Sequence, residues 1–104
     1  MKRDWQTTFS ERIAPRLASS GLHGTLKVVV EGEPKPYYLK LNGTVRLEAT
    51  PPKKLDGIVR GSAEDLEALL AGRMSLSDGM LTERIGVSGD VQLVLGLGRL
   101  LGAA

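Results

Sequence analysis

The chain has 104 residues, 41% apolar and 25% charged, with 14 basic and 12 acidic side chains for a net charge of +2. That composition belongs to a soluble globular protein with one modest core, so residues 1–104 are expected to form a single domain. The absence of cysteine excludes disulfides, thiol nucleophiles and zinc–thiolate centres, and no basic run exceeds two residues, which argues against nucleic acid as a partner.

The start, Met1-Lys-Arg-Asp-Trp-Gln, is polar and lacks the apolar stretch of a secretory signal. Residues 91–101 are too short to span a bilayer and contain Arg99, so a cytoplasmic location is expected. Trp5, Phe9, Ile13 and Leu17 recur every four residues, the stripe of a helix. Pro15 removes a helix hydrogen bond and predicts a break or kink, and Ser19-Ser20-Gly21 ends the segment. Lys2, Arg3, Arg12 and Arg16 fall on its polar side, read as a solvated face.

Residues 25–49 have the pattern of strands. Leu26, Val28 and Val30 alternate with Thr25, Lys27 and Glu31, although Val29 interrupts the alternation. Gly32-Glu-Pro-Lys-Pro36 is a turn, because neither proline can donate to a ladder. Tyr37, Leu39 and Leu41 alternate next, and Asn42-Gly43 offers a second turn. A two-residue turn there mixes the faces. A three-residue loop with Gly43 in the left-handed region is expected instead, pairing Leu39 with Val45 and Tyr37 with Leu47. The strands are predicted at 26–30, 37–41, 44–49, 55–60 and 84–88, with Ala49-Thr-Pro-Pro-Lys-Lys54 an irregular connection.

Ser62 and Asp65 form a capping box at the start of a helix over 63–71, whose face is Ala63, Leu66, Leu69 and Leu70 and whose stop is Gly72. Asp90 is placed to cap a second helix, over 90–101. On a wheel of about 100° per residue, Leu100, Leu93, Leu97, Leu101, Val94, Val91 and Leu95 cover roughly 220°, more than the stripe an ordinary surface helix needs. One flank suits a sheet, and the other needs a second apolar partner. Gly96 and Gly98 each cost roughly 1 kcal/mol in a helix interior. They serve either close packing or space for a ligand.

Asp56-Gly-Ile-Val, the helix ending Leu69-Leu70-Ala71-Gly72-Arg73-Met74, and Ile85-x-Val87-x-Gly89-Asp90 before an apolar final helix resemble the sterol carrier protein type 2 domain family. The likeness covers residues 22–101 and is strongest from 56 on; Glu83 departs from it, standing where the family usually has glycine before its last strand. The resemblance implies an α+β fold with one mixed five-stranded sheet, order 3-2-1-4-5, and helices packed on one face. It also implies non-catalytic binding or transfer of a sterol, fatty acyl chain, acyl-CoA or isoprenoid in an apolar cavity, with no cofactor. The alternative it leaves is an accessory subunit that presents a lipid substrate to partner enzymes, as in ubiquinone-type pathways, or that dimerises through the final helix. Transient membrane contact, a homodimer and a partner enzyme are the further associations expected.

Met74, Leu76, Met80, Leu81, Ile85, Val87, Leu93, Leu97 and Leu100 are the candidate lining of that cavity. They share one side of the final helix or precede it, and methionine suits an adaptable wall. Catalytic arrangements are lacking. His23 is the single histidine, next to Gly24 at a strand start, and fits a surface or capping role. Asp56, Asp78 and Asp90 lack the spacing of metal ligands, and Gly96-Leu-Gly98 lies inside a helix, not in a nucleotide-binding loop.

Overall fold

In the computed structural model, residues 5–100 are described, apart from the side chains of Thr8, Phe9 and Ala18. The expected contributions of Phe9, Lys2, Arg3 and Leu101 therefore lie outside the described residues. Pro15 does start a new helix. Helix α1 spans Trp5–Arg12 and α2 spans Ala14–Ser20, with proline in the first turn of α2, where its missing N–H is not needed. Gly21, at φ 71°, closes α2 in the left-handed region.

Five strands follow the alternating segments: β1 His23–Val30, β2 Tyr37–Asn42, β3 Val45–Glu48, β4 Gly57–Gly61 and β5 Gly86–Gly89. They form one mixed sheet in the order β3-β2-β1-β4-β5, the β1–β4 pair being parallel and the others antiparallel. Three residues, with Gly43 at φ 72° as expected, separate the paired Leu41 and Val45, and the register is two residues tighter than expected. Leu41 faces Val45 and Leu39 faces Leu47. A slip of two leaves every side chain on its own face, so the apolar pattern alone does not detect it. Strand β4 begins at Gly57, not at 55; Leu55 is 41% exposed and lies before it. Strand β5 begins at Gly86, because the Ile85 N–H donates to Gly79 O at 3.0 Å and is drawn toward the preceding helix.

Helix α3, Ala63–Leu70, carries the expected cap, with Asp65 N–H donating to Ser62 Oγ at 3.1 Å. A helix absent from the sequence reading follows: α4, Leu76–Leu81, capped by Ser75 through Asp78 N–H at 3.0 Å. Its Ser75-x-x-Asp78 start repeats the logic of Ser62-x-x-Asp65, but six residues containing Gly79 show no helical stripe. Helix α5, Val91–Leu100, begins where Leu93 N–H donates to Asp90 Oδ1 at 3.1 Å.

The core lies between one sheet face and the helices. Leu26, Val28, Val30, Leu39, Leu41, Val45 and Val59 from the strands meet Ile13, Leu17, Leu66, Leu70, Leu76, Val94 and Leu97, all buried. At one end of the sheet the packing is backbone on backbone. Thr25 N–H donates to Asp56 Oδ2, Asp56 N–H to Thr25 O, and Asp90 N–H to Asp56 O, each at 2.8 Å. Gly89, at φ 84°, makes this approach available: a Cβ there would stand 2.7 Å from Asp56 O and 2.8 Å from Gly57 Cα.

Candidate functional site

Under the helices the core is incompletely filled. A cavity of about 40 Å³ is bounded by Leu26, Val28, Leu39 and Val59 on the sheet, Leu66, Leu69 and Leu70 on α3, and Leu76 on α4. Val94, Leu97 and Gly98 of α5 and Trp5 of α1 complete it. The volume would admit water, but water needs 2–4 polar partners, and no polar side chain lines this space. It is therefore an apolar site whose chemistry rests on dispersion and the hydrophobic effect. Pockets that hold a whole small ligand run from roughly 300 to 1,000 Å³, so an acyl chain or sterol must widen this one several-fold.

Of the nine candidate lining residues, Leu76 and Leu97 border the cavity. Leu93 is buried but points toward the start of β1, where its Cδ2 lies 2.6 Å from the place a Cβ on Gly24 would occupy. Ile85 is buried between α4 and β4, against Gly79 and Gly61. Met74, Met80, Val87 and Leu100 are partly buried against the edge of the core. Leu81 is a correction: it is 82% exposed, because α4 turns this last residue away from the sheet.

The residues missed are mostly those of the sheet and of α3. Their signal was present, in the alternation of Leu26 and Val28 and the stripe of Leu66, Leu69 and Leu70, but it was read as core only. On α5 the cavity-facing set is Val94, Leu97 and Gly98, at positions i, i+3 and i+4, not Leu93, Leu97 and Leu100. Both α5 glycines serve close packing. A Cβ on Gly96 would lie 2.7 Å from Leu22 Cδ1; one on Gly98 would lie 3.1 Å from Leu76 Cδ2 and 3.3 Å from Leu76 Cβ. Gly98 thus lets α4 sit against α5 and also borders the open space.

Two of the arginines read as a solvated face have structural partners. Arg12 donates through Nη1 to Leu70 O, at the end of α3, and Arg16 through Nη1 to Leu100 O, at the end of α5, at 3.3 Å. Each cation meets a helix C-terminus, where unpaired carbonyls concentrate negative charge. The N-terminal helices therefore brace α3 and α5, two of the helices that wall the cavity. Trp5 adds a tilted ring contact with Tyr37, centroids 5.7 Å apart.

Other polar groups are used structurally. His23 is exposed, with Nδ1 3.2 Å from Gly21 O. Among the described residues no group of three or more His, Asp or Glu side chains could hold a metal ion, and no helix is long and apolar enough to cross a membrane.

Fold and cavity define a class: an α+β domain that closes an apolar space between a mixed sheet and its helices. The chain belongs to the SCP-2 sterol transfer family, whose model matches residues 9–102. Comparison with curated proteins gives no match. Among solved structures the chain is similar to the UbiJ-SCP2 ubiquinone synthesis protein, with TM-score 0.78 and 18% identity over 94% of this chain and 90% of that one. Palmitated SCP2L2 from Aedes aegypti gives 0.64 and 20% over 90% and 91% of the two chains. The sec-alkylsulfatase Pisa1 from Pseudomonas sp. gives 0.73 and 19% over 91% of this chain, which spans only 15% of that enzyme. At these identities the likeness is one of fold.

Proposed function

We propose that this protein carries a hydrophobic ligand with an extended apolar chain, held between the sheet and helices α3 and α5, and performs no covalent chemistry on it. The observation that carries this reading is the wholly apolar cavity at the centre of the core. Membership of a sterol transfer family supports it. A ligand enters by displacing side chains into new rotamers and moving the helices outward, since the space must grow several-fold. The residues of this site are then Leu66, Leu69, Val94 and Leu97, with Leu76 and Gly98 at the junction of α4 and α5.

The test is displacement of a fluorescent fatty acid from the full-length protein, with Leu97→Arg as the variant. A guanidinium at a position 8% exposed must reach solvent or stand unpaired in an apolar site. Binding is expected to fall at least tenfold in the variant. Failure of the parent protein to bind any fatty acid, sterol or isoprenoid probe sinks the carrier reading.

A second reading has its own observation. Leu81 is 82% exposed, Leu55 41% and Val91 36%, and the fold is similar to that of a ubiquinone synthesis protein. An accessory subunit that docks on a partner enzyme would use such surface. Native mass spectrometry separates the two: a co-purifying lipid on a monomer favours the carrier, whereas a defined complex or dimer favours the subunit.

A further inference from the structure

The sheet has a second face, and no described helix packs on it. The register places Lys27 opposite Tyr38, Tyr38 opposite Glu48, Lys40 opposite Arg46, and Arg60 beside Val29. All of these alternate with residues that enter the core. Tyr38 is 7% exposed yet stands outside the core cluster.

The charge on this face is one-sided. Within the strands Lys27, Lys40, Arg46 and Arg60 share it with one carboxylate, Glu48, which Lys40 approaches at 3.1 Å and Arg46 at 4.0 Å; Glu31, whose N–H continues the ladder to Gly61 O just beyond β1, adds a second at the margin. Lys27 and Arg60 form no ion pair among the described residues. Four cations against two carboxylates leave this face a surplus of two positive charges, as many as the +2 of the whole chain. Arg46 on β3 and Arg60 on β4 are three strand spacings apart, roughly 14 Å. The cations are therefore spread over a surface and not gathered along a groove.

We propose that this open sheet face docks the protein on an anionic lipid bilayer. Charge complementarity selects a negative partner, and the spread of the cations suits a plane of headgroups. The single aromatic ring on the face is buried, which leaves no platform for stacking nucleic-acid bases. Docking here leaves the helix side, with its cavity, facing away from the bilayer until the protein rolls or the helices open. The proposal rests on the carrier reading only for the reason such a protein would visit a membrane.

The experiment is co-sedimentation of the full-length protein with phosphatidylcholine vesicles, with and without phosphatidylglycerol, at low and high salt. Binding is expected only with phosphatidylglycerol and is expected to weaken as salt screens the face. Each basic residue near such a surface strengthens binding roughly fivefold, so Arg46→Gln with Arg60→Gln should weaken it about 25-fold. Both side chains are exposed, so an unchanged melting temperature is expected. Lys27→Gln, expected to weaken binding roughly fivefold, gives a second test should the double variant misfold. The control, Arg73→Gln with Arg99→Gln, removes the same charge from the helix side and should leave binding unchanged. Equal loss in both pairs, equal binding without phosphatidylglycerol, no binding by the parent, or tighter binding to duplex DNA through Arg46 and Arg60 overturns the proposal. Fatty-acid displacement on the same samples keeps the readings apart. A protein that binds fatty acid but no vesicles loses this face and keeps the carrier function; one that binds vesicles but no fatty acid does the reverse.

Discussion

Two regions of one core are built in opposite ways. Where β1, β4 and α5 begin, Gly24, Gly57 and Gly89 bring the segments so close that a methyl group on any of them would meet a neighbour at 3.1 Å or less. Asp56 and Asp90 then fasten the segments with bonds of 2.8 Å. Under α3 and α5, by contrast, the layer leaves about 40 Å³ unfilled, walled by leucine and valine whose rotamers can change. Directional bonds and absent side chains fix the first region, whereas non-directional dispersion holds the second. Under the proposed carrier function that division has a use, because an anchored end lets the other yield to a ligand without unfolding.

The contrast breaks most visibly at Gly89. Gly89→Ala forces a Cβ onto a left-handed backbone and within 2.7 Å of Asp56 O, so a loss of roughly 3–5 kcal/mol is expected in urea unfolding. A loss under 1 kcal/mol would mean that this end is as yielding as the other. Asp56→Ala comes next. It leaves the Thr25 N–H without its acceptor, at a cost of about 1–3 kcal/mol, while the 3.9 Å pair with Lys54 contributes little. Fatty-acid affinity should stay within about twofold once the data are corrected for the folded fraction. The smallest change in stability is expected from Val94→Ile, which adds one methylene beside the open space and gains at most about 0.8 kcal/mol. It should nevertheless weaken fatty-acid binding, because it occupies room the ligand needs. A loss of more than 1 kcal/mol there would show that the cavity is not adaptable.

Much of this contrast was legible in the residues, though unevenly. Asp90, Ser62 and Gly72 announced helix ends because caps act over three or four residues, a distance a sequence displays directly. The alternation of Leu26, Val28, Leu39 and Leu41 announced a buried face for the same reason. Strand order came from the family resemblance, since no local pattern tells β1 that its second neighbour is β4. Helix α4 was missed because it is held by tertiary packing of Leu76 and Gly79 and not by a stripe of its own. The expected lining followed one helix wheel, whereas the cavity is bordered by residues of seven elements, three strands and four helices. Glu83 is a telling case. It was recognised as standing where glycine is usual, and it occupies the left-handed region at φ 60°, the one non-glycine to do so among the described residues.

The sheet order also dictates when the chain can become secure. Strand β1 is central, and its first partner, β2, follows within a short turn, so β1, β2 and β3 can assemble as a meander from residues 23–48 alone. The other edge of β1 waits for β4, and the core face waits for α5, which ends at Leu100. During synthesis, the strand that carries Leu26 and Val28 is therefore a bare edge until β4 has emerged, and its apolar face is fully covered only once α5 has followed. Such an edge is a template for pairing with other chains. Lys27, at the middle of that strand, places a charge on this transient edge before its partners arrive, and aggregation during folding is opposed by the same side chain that faces outward in the finished sheet.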